Sequence, residues 1–309
     1  MARKRRGLPL SGWLVIDKPV GMTSSQVVGR VRRLTGAAKA GHAGTLDPLA
    51  TGVLPVALGE ATKTMPFVVD STKLYRFTAC WGAARTTDDA EGEVTQTCDH
   101  RPDKAAIIQA LQSFQGEISQ IPPAYSAIKV DGRRAYKAAR AGENVELAPR
   151  LVEVHHNALV EIIDADHAIF EVESGKGFYV RSFVRDIAQK LGTCGYVSDL
   201  RRCRVGPFLE CDAISLDKLE EMSNSAPPEN YLLPITASLD DIPAITVTGP
   251  ESAMLKHGQV IRVPSTKEGL ICVMADGNPV ALAQIENQEV RPVRVFNLSQ
   301  ERNIDVDYG

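Results

Sequence analysis

The chain has 309 residues, 44% hydrophobic and 24% charged, with 24 Gly and 18 Pro. That make-up belongs to a globular protein and excludes collagen-like, low-complexity and coiled-coil classes. The net charge of -3 hides an asymmetry: residues 1–204 carry 28 Lys/Arg against 22 Asp/Glu (+6) and residues 205–309 carry 7 against 16 (-9), so a basic portion suited to a polyanion precedes an acidic one.

The basic start Arg3-Lys4-Arg5-Arg6 leads to an apolar run that stops at Asp17, too soon for a secretory signal, and no later run approaches the ~18 apolar residues of a membrane span. The sequence therefore reads as soluble and cytoplasmic. A strand is expected at 12–16. A helix follows over 24–35, with Ser24 and Ser25 as cap candidates, Val27, Val28, Val31 and Leu34 on one face, and Gly36 at its end.

The densest loop is Gly41-His42-Ala43-Gly44-Thr45-Leu46-Asp47-Pro48-Leu49-Ala50-Thr51-Gly52, where three glycines and a proline surround a single carboxylate. On residue types alone, Asp47-Pro48 starts a turn. Loops of unusual backbone angles on a scaffold also carry function. With no second acid in the loop, a chemical Asp47 acts singly, as nucleophile or electrostatic stabiliser.

A strand at 74–81 precedes a helix capped by Asp103, with Ile107, Ile108, Leu111 and Phe114 as its stripe and Gly116 as its stop. The segment from Ile121 to Gly142 has a Pro-rich entry, then five basic residues against one acid, with Tyr125 and Tyr136 interleaved. A solvated face is one reading; phosphate contact with base stacking is the favoured one.

Strands at 151–162 and 168–174 lead into Lys176-Gly177-Phe178-Tyr179-Val180-Arg181. Phe178 is assigned to the core, and in an extended chain Tyr179 and Arg181 share a face. Arg181 is suited to hold a carboxylate through a charge-assisted, bidentate pair. A helix follows from about Arg181 to Gly192, and another starts near Ser215. After Pro227-Pro228 come short strands near 244–248, 259–263, 270–274 and 279–285 between turn signals, so a small β-rich domain is expected from about 241.

The six cysteines form no C-x-x-C pair and the histidines show no metal-site spacing, so reduced thiols and no metal are expected. The chain carries no phosphate-binding G-x-x-x-x-G-K-[ST], G-x-G-x-x-G or G-x-S-x-G pattern.

Together, Asp17-Lys18-Pro19-x-Gly21-Met22-Thr23-Ser24, the Gly41–Gly52 loop, Lys73-x-Tyr75-Arg76, the Ile121–Gly142 segment, Lys176-Gly177-x-Tyr179-x-Arg181 and Leu200-Arg201-Arg202 resemble the motif series of the TruB-type tRNA pseudouridine-55 synthases in order and spacing. One departure is Arg85, where the family often has Thr. Leu255, Gly258 and Arg291-Pro292-Val293-Arg294-Val295 are similar to a PUA domain.

The resemblance implies an α+β pseudouridine synthase fold with a mixed, largely antiparallel central sheet. It implies a catalytic domain over 1–240, a thumb insertion at about 120–150, and a PUA-like β-barrel over 241–309. The implied reaction isomerises uridine 55 in the T-loop of tRNA, without cofactor, after the base is flipped from its stack. By the same resemblance Asp47 is the catalytic aspartate, Tyr75 stacks on the target base, and Arg181 pairs with Asp47. His42 fills the vacated stack, Tyr179 and Leu200 line the pocket, and Lys18, Lys129, Arg201 and Arg202 meet phosphates or support the site. The expected partner is the tRNA T-arm, with no membrane, no obligate protein partner and a monomeric state. An RNA-binding or tRNA-folding factor, or a uridine isomerase of another RNA, stands as the alternative.

Overall fold

The computed structural model describes residues 7–126, 129–130, 133–134 and 147–298, with the backbone alone at 129–130 and 133–134. The chain opens with strand β1 (Gly12–Lys18), helix α1 (Ser24–Thr35), strands β2 (Ala40–His42) and β3 (Thr51–Leu58), and the short helix α2 (Met65–Asp70). Strands β4 (Lys73–Trp81), β5 (Ala83–Arg85) and β6 (Val94–Thr97), helix α3 (Lys104–Leu111) and strand β7 (Gly116–Gln120) follow. After the two-residue strands β8 (Lys129–Val130) and β9 (Arg133–Arg134) come β10 (Arg150–Ile162), β11 (His167–Ser174), helix α4 (Val180–Lys190), strands β12 (Gly195–Val205) and β13 (Phe208–Leu209), and helix α5 (Leu216–Ser225). Most of the insertion expected over 120–150, including the Lys129 side chain, lies outside the described residues.

The main sheet runs in the order β1-β3-β12-β4-β11-β10-β7, and its neighbours are antiparallel except β3 and β12, which pair in parallel at Thr51 and Gly52. This is the mixed, largely antiparallel sheet the sequence predicts. Its covered face is apolar: Phe77, Trp81 and Phe170 meet Phe183, Val184 and Ile187 of α4, while Val27 and Val31 of α1 pack on Leu14 and Ile16 in the same cluster. Phe77 stacks on Phe170 at 5.7 Å and meets Phe183 edge-on at 5.9 Å, arrangements that the ring quadrupole favours.

Thr23, not Ser24 or Ser25, caps α1, because its hydroxyl accepts from the Gln26 N–H while the Gln26 side chain accepts from the Thr23 N–H. Ser24 is thereby left to turn inward, where it is buried. Helix α3 ends at Leu111 and tightens into a turn over Gln112–Phe114, so the stripe expected to reach Phe114 continues in a different helical form.

The last third holds β14 (Ala244–Thr246), helix α6 (Gly249–Lys256), β15 (Ile261–Arg262), β16 (Gly269–Ala275), β17 (Asn278–Glu286) and β18 (Glu289–Val295). Their sheet, in the order β14-β16-β17-β18-β15, curls over Leu255, Ile271, Val273, Ile285 and Val290 as a PUA-like half-barrel. It is joined to the main body by apolar contact: Cys272, Leu282 and Phe296 share one buried cluster with Trp13, Val15, Val53 and Phe208.

Candidate active site

The Asp47 loop is held from three directions. Upstream of the aspartate, the Ser24 hydroxyl donates to Leu46 O at 3.1 Å and accepts from the Leu46 N–H at 2.8 Å. Downstream, Lys18 Nζ and the Gly21 N–H both donate to Pro48 O, at 3.2 and 2.8 Å. Beneath, the Arg202 guanidinium donates to Gly44 O and Thr45 O. The Ala50 N–H also donates to Asp47 O at 3.1 Å, so the turn that residue types alone suggest is present as well. Gly52 closes the loop at φ +96°, where a Cβ would lie 2.3 Å from Arg202 O; a close backbone approach requires glycine there.

Arg181 enters from the first turn of α4 and is 4% exposed. Its Nε stands 3.0 Å from Asp47 Oδ2 and 3.6 Å from Asp89 Oδ2, while its terminal nitrogens donate to Thr87 O and Tyr125 O. The pairing with Asp47 is therefore an ion pair without a hydrogen bond at Nε, and not bidentate, because the terminal nitrogens are spent on backbone carbonyls. Asp89 is the second acid that the loop itself lacks. It is buried, bonded to the Thr87 hydroxyl and the Glu91 N–H, and sequence reasoning did not single it out among the other acids of its loop. Tyr179 is the N-cap of α4 rather than part of an extended strand, and its backbone exchanges two hydrogen bonds with the Gln120 side chain, tying this helix to the entry of the insertion.

A cavity of about 340 Å³ opens at Asp47 and is lined by Tyr75, Phe178, Tyr179, Arg181, Leu200 and Lys176 among others. Its walls carry more cationic than acidic side chains, as suits a phosphodiester-linked substrate. Tyr75, on β4, packs against Phe178 with ring centres 6.3 Å apart. Burial pushes the Tyr75 phenol above its ordinary value and the nearby Arg202 guanidinium opposes that rise. Burial and the charge of Asp47 push Tyr179 up too, so both rings are neutral near pH 7. Lys176, at the mouth, is exposed and 3.2 Å from Asp70.

The remaining candidates divide by exposure. His42 stands on β2 outside the cavity; burial, then Arg202, lower its value, leaving a neutral ring fit for stacking. Lys18 is fully buried, and burial brings its amine down to about 8; its contact is with the loop carbonyl Pro48 O. Arg202 is likewise buried and takes the supporting part. Arg201 is partly exposed, but Asp17 holds it at 3.0 and 3.1 Å and Glu210 also bonds it. Arg85 donates to Ala90 O and Gly92 O and lies over the Tyr196 ring at 4.5 Å, a role in shaping the loop that carries Asp89.

The model of the TruB family pseudouridylate synthase (N terminal domain) matches residues 32–180, and that of the tRNA pseudouridylate synthase B C-terminal domain matches 181–240. A protein of Bradyrhizobium diazoefficiens named tRNA pseudouridine synthase B is 53% identical over 297 residues, covering 93% of this chain and 86% of its own. One of the same name from Caulobacter vibrioides is 49% identical, covering 97% and 100%. Among solved structures, a chain of a Cbf5-Nop10-Gar1 complex superposes with a TM-score of 0.70 at 28% identity, covering 93% of this chain and 84% of that one. A chain of an H/ACA RNP bound to a substrate RNA reaches 0.72 at 24% identity, covering 96% and 92%.

Proposed function

We infer the function from one premise: the chain belongs to the TruB family of pseudouridylate synthases. It is an isomerase that converts uridine in tRNA to pseudouridine. We propose uridine 55 of the T-loop as the target, and a monomer working in the cytoplasm. The reaction breaks C1′–N1, forms C1′–C5, releases the C5 proton and returns one to N1, so atoms and electrons balance without a donor.

The observation that carries the site assignment is the Asp47 carboxylate, at the wall of a base-sized cavity, 3.0 Å from a buried guanidinium and facing Tyr75. In this reading Asp47 acts on the sugar or the base, or stabilises the cleaved state. Arg181, itself buried, fixes and neutralises it. Tyr75 stacks on the flipped uracil and relays the C5 proton, its hydroxyl passing its own proton on as it takes that one up, Leu200 and Tyr179 wall the pocket, and His42 fills the vacated stack. Lys18, Arg201 and Arg202 support these groups, and Lys129 contacts RNA. The N–H and C=O groups that hold the Asp47 loop are already in place before substrate arrives, which is how preorganised sites avoid reorganisation cost.

The test is direct. Purified protein incubated with unmodified tRNA is expected to place pseudouridine at position 55 alone. Pseudouridine at other positions would redirect the substrate assignment, and none at all would refute the reading.

A further inference from the structure

We propose that Arg202 is a positioning residue that sets the Tyr75 hydroxyl against the Asp47 loop, so that the two groups facing the uridine are registered by one buried cation. The inference rests on the catalytic reading above and adds to it a residue that touches neither RNA nor the reacting atoms.

Arg202 and Tyr75 are direct partners across β12 and β4, which puts their side chains on one side of the sheet, and both line the cavity. The guanidinium is buried, 1% exposed. Its nitrogens donate to Val53 O at 2.9 Å, to Gly44 O at 3.2 Å and to Thr45 O at 3.5 Å, and the Tyr75 phenol stands near enough to feel its charge. Its carbonyl sits against Gly52, so backbone and side chain grip both ends of the catalytic loop. Among the described residues no carboxylate pairs with it at ion-pair distance; the anionic groups that feel its charge are the Asp47 carboxylate and, when ionised, the Tyr75 phenol.

A buried guanidinium without a carboxylate is costly, and a purely structural position could be filled by an apolar side chain of similar volume. What such a side chain cannot do is donate to two loop carbonyls and at the same time set a positive charge beside the Tyr75 phenol. The planar fork does this from fixed angles, and an ammonium does not. When the neutral Tyr75 hydroxyl relays the proton that leaves C5, handing its own proton onward as it takes that one up, the guanidinium beside it holds the hydroxyl in place for both transfers. Arg202 itself gains and loses no proton.

The experiment compares wild type, Arg202→Lys, Arg202→Met and Tyr75→Phe, each with unmodified tRNA, measuring tRNA affinity and the single-turnover rate. The phenol of Tyr75 is followed by carbon NMR of ring-labelled tyrosine, its signal identified by its loss in Tyr75→Phe. Arg202→Lys is expected to lower the rate about tenfold and Arg202→Met further, with affinity kept within about twofold, and both to move the Tyr75 signal. An unmoved Tyr75 signal, an unchanged rate, or a rate loss matched by an equal loss of affinity would overturn the proposal. Should both Arg202 variants fail to fold, Tyr75→Phe alone decides: losing a partner of the buried guanidinium should lower Tm by about 2–4 °C, and an unchanged Tm would contradict the contact. A wild-type protein that makes no pseudouridine refutes the catalytic reading instead and leaves the NMR shift to judge the contact.

Discussion

The Asp47 loop and the joint between the two sheets are both buried, yet they are built from opposite materials. Around the loop, Ser24, Lys18 and Arg202 place donors on backbone carbonyls, and Arg181 sets its charge beside one carboxylate. At the joint, Trp13, Val53, Phe208, Leu282 and Phe296 form an apolar cluster, and the polar bonds beside it, Trp13 to Ser238 to Thr64 within and Lys63 to Val295 O at its edge, carry no carboxylate of the site. A polar brace fixes angles and is expensive to bury, whereas apolar packing supplies stability without direction. The difference teaches where each kind of damage should appear: in the rate at the loop, in Tm at the joint.

The largest effect expected is at the loop. Arg181→Met leaves Asp47 and Asp89 together without a cation, and the single-turnover rate should fall by about 10³-fold, near 4 kcal/mol, with tRNA affinity retained. Arg181→Lys keeps the charge but loses the bonds to Thr87 O and Tyr125 O, so it should fall between wild type and Met. Near-normal turnover in Arg181→Met would break the comparison. Next comes the joint. Phe296→Ala removes a fully buried ring and should cost about 3–5 kcal/mol in denaturant unfolding, with the rate of the folded fraction unchanged. A rate loss there would show that the joint also shapes the site.

A smaller effect separates the two regions by pH. The Lys18 amine is brought down to about 8 by burial, whereas the unfolded chain holds its proton up to about 10.5. Between those values the unfolded state binds more protons, so this group's contribution to stability rises with pH, and below about 8 the buried charge is a cost. Lys18→Met should flatten that slope in unfolding measured from about pH 7 to pH 10; an unchanged slope would mean that the amine is not the titrating group. The smallest effect belongs to the basic segment after Tyr125. Replacing Lys129, Arg133, Arg134 or Lys137 singly by Ala should lower the slope of log K against log salt by about one while leaving turnover at saturating tRNA alone. Four unchanged slopes would remove that segment from the RNA interface.

Strands with one clean alternation were legible in the sequence. Those at 74–81, 151–162 and 168–174 match β4, β10 and β11 to within a residue, and Ser215 and Asp103 cap the helices they were expected to cap. Two central strands were not. Gly52 and Pro55 read as breakers inside β3, although Gly52 is there for a close backbone approach. In β12, bulges after Val197 and Arg202 break the period-two pattern, and its Arg-Arg-Cys-Arg run looks like a surface. Asp47, Tyr179 and Arg181 stood out by residue type and local pattern, Tyr75 and Leu200 only through the family resemblance, and all five converge on one cavity. Asp89 was invisible because only the third dimension sets it beside Arg181. The exposure of Lys18 and Arg202 was equally hidden: a basic residue in a motif looks the same whether it meets a phosphate or holds a carbonyl.

The most direct measurement is a single-turnover assay of Asp47→Asn beside wild type, with tRNA affinity measured on the same preparations. The substitution keeps shape and removes charge. Binding within about twofold of wild type and no detectable pseudouridine, a loss beyond about 10⁴-fold, is the predicted result. Pseudouridine formed by Asp47→Asn at a rate near that of wild type would contradict the assignment of Asp47 as the reacting group.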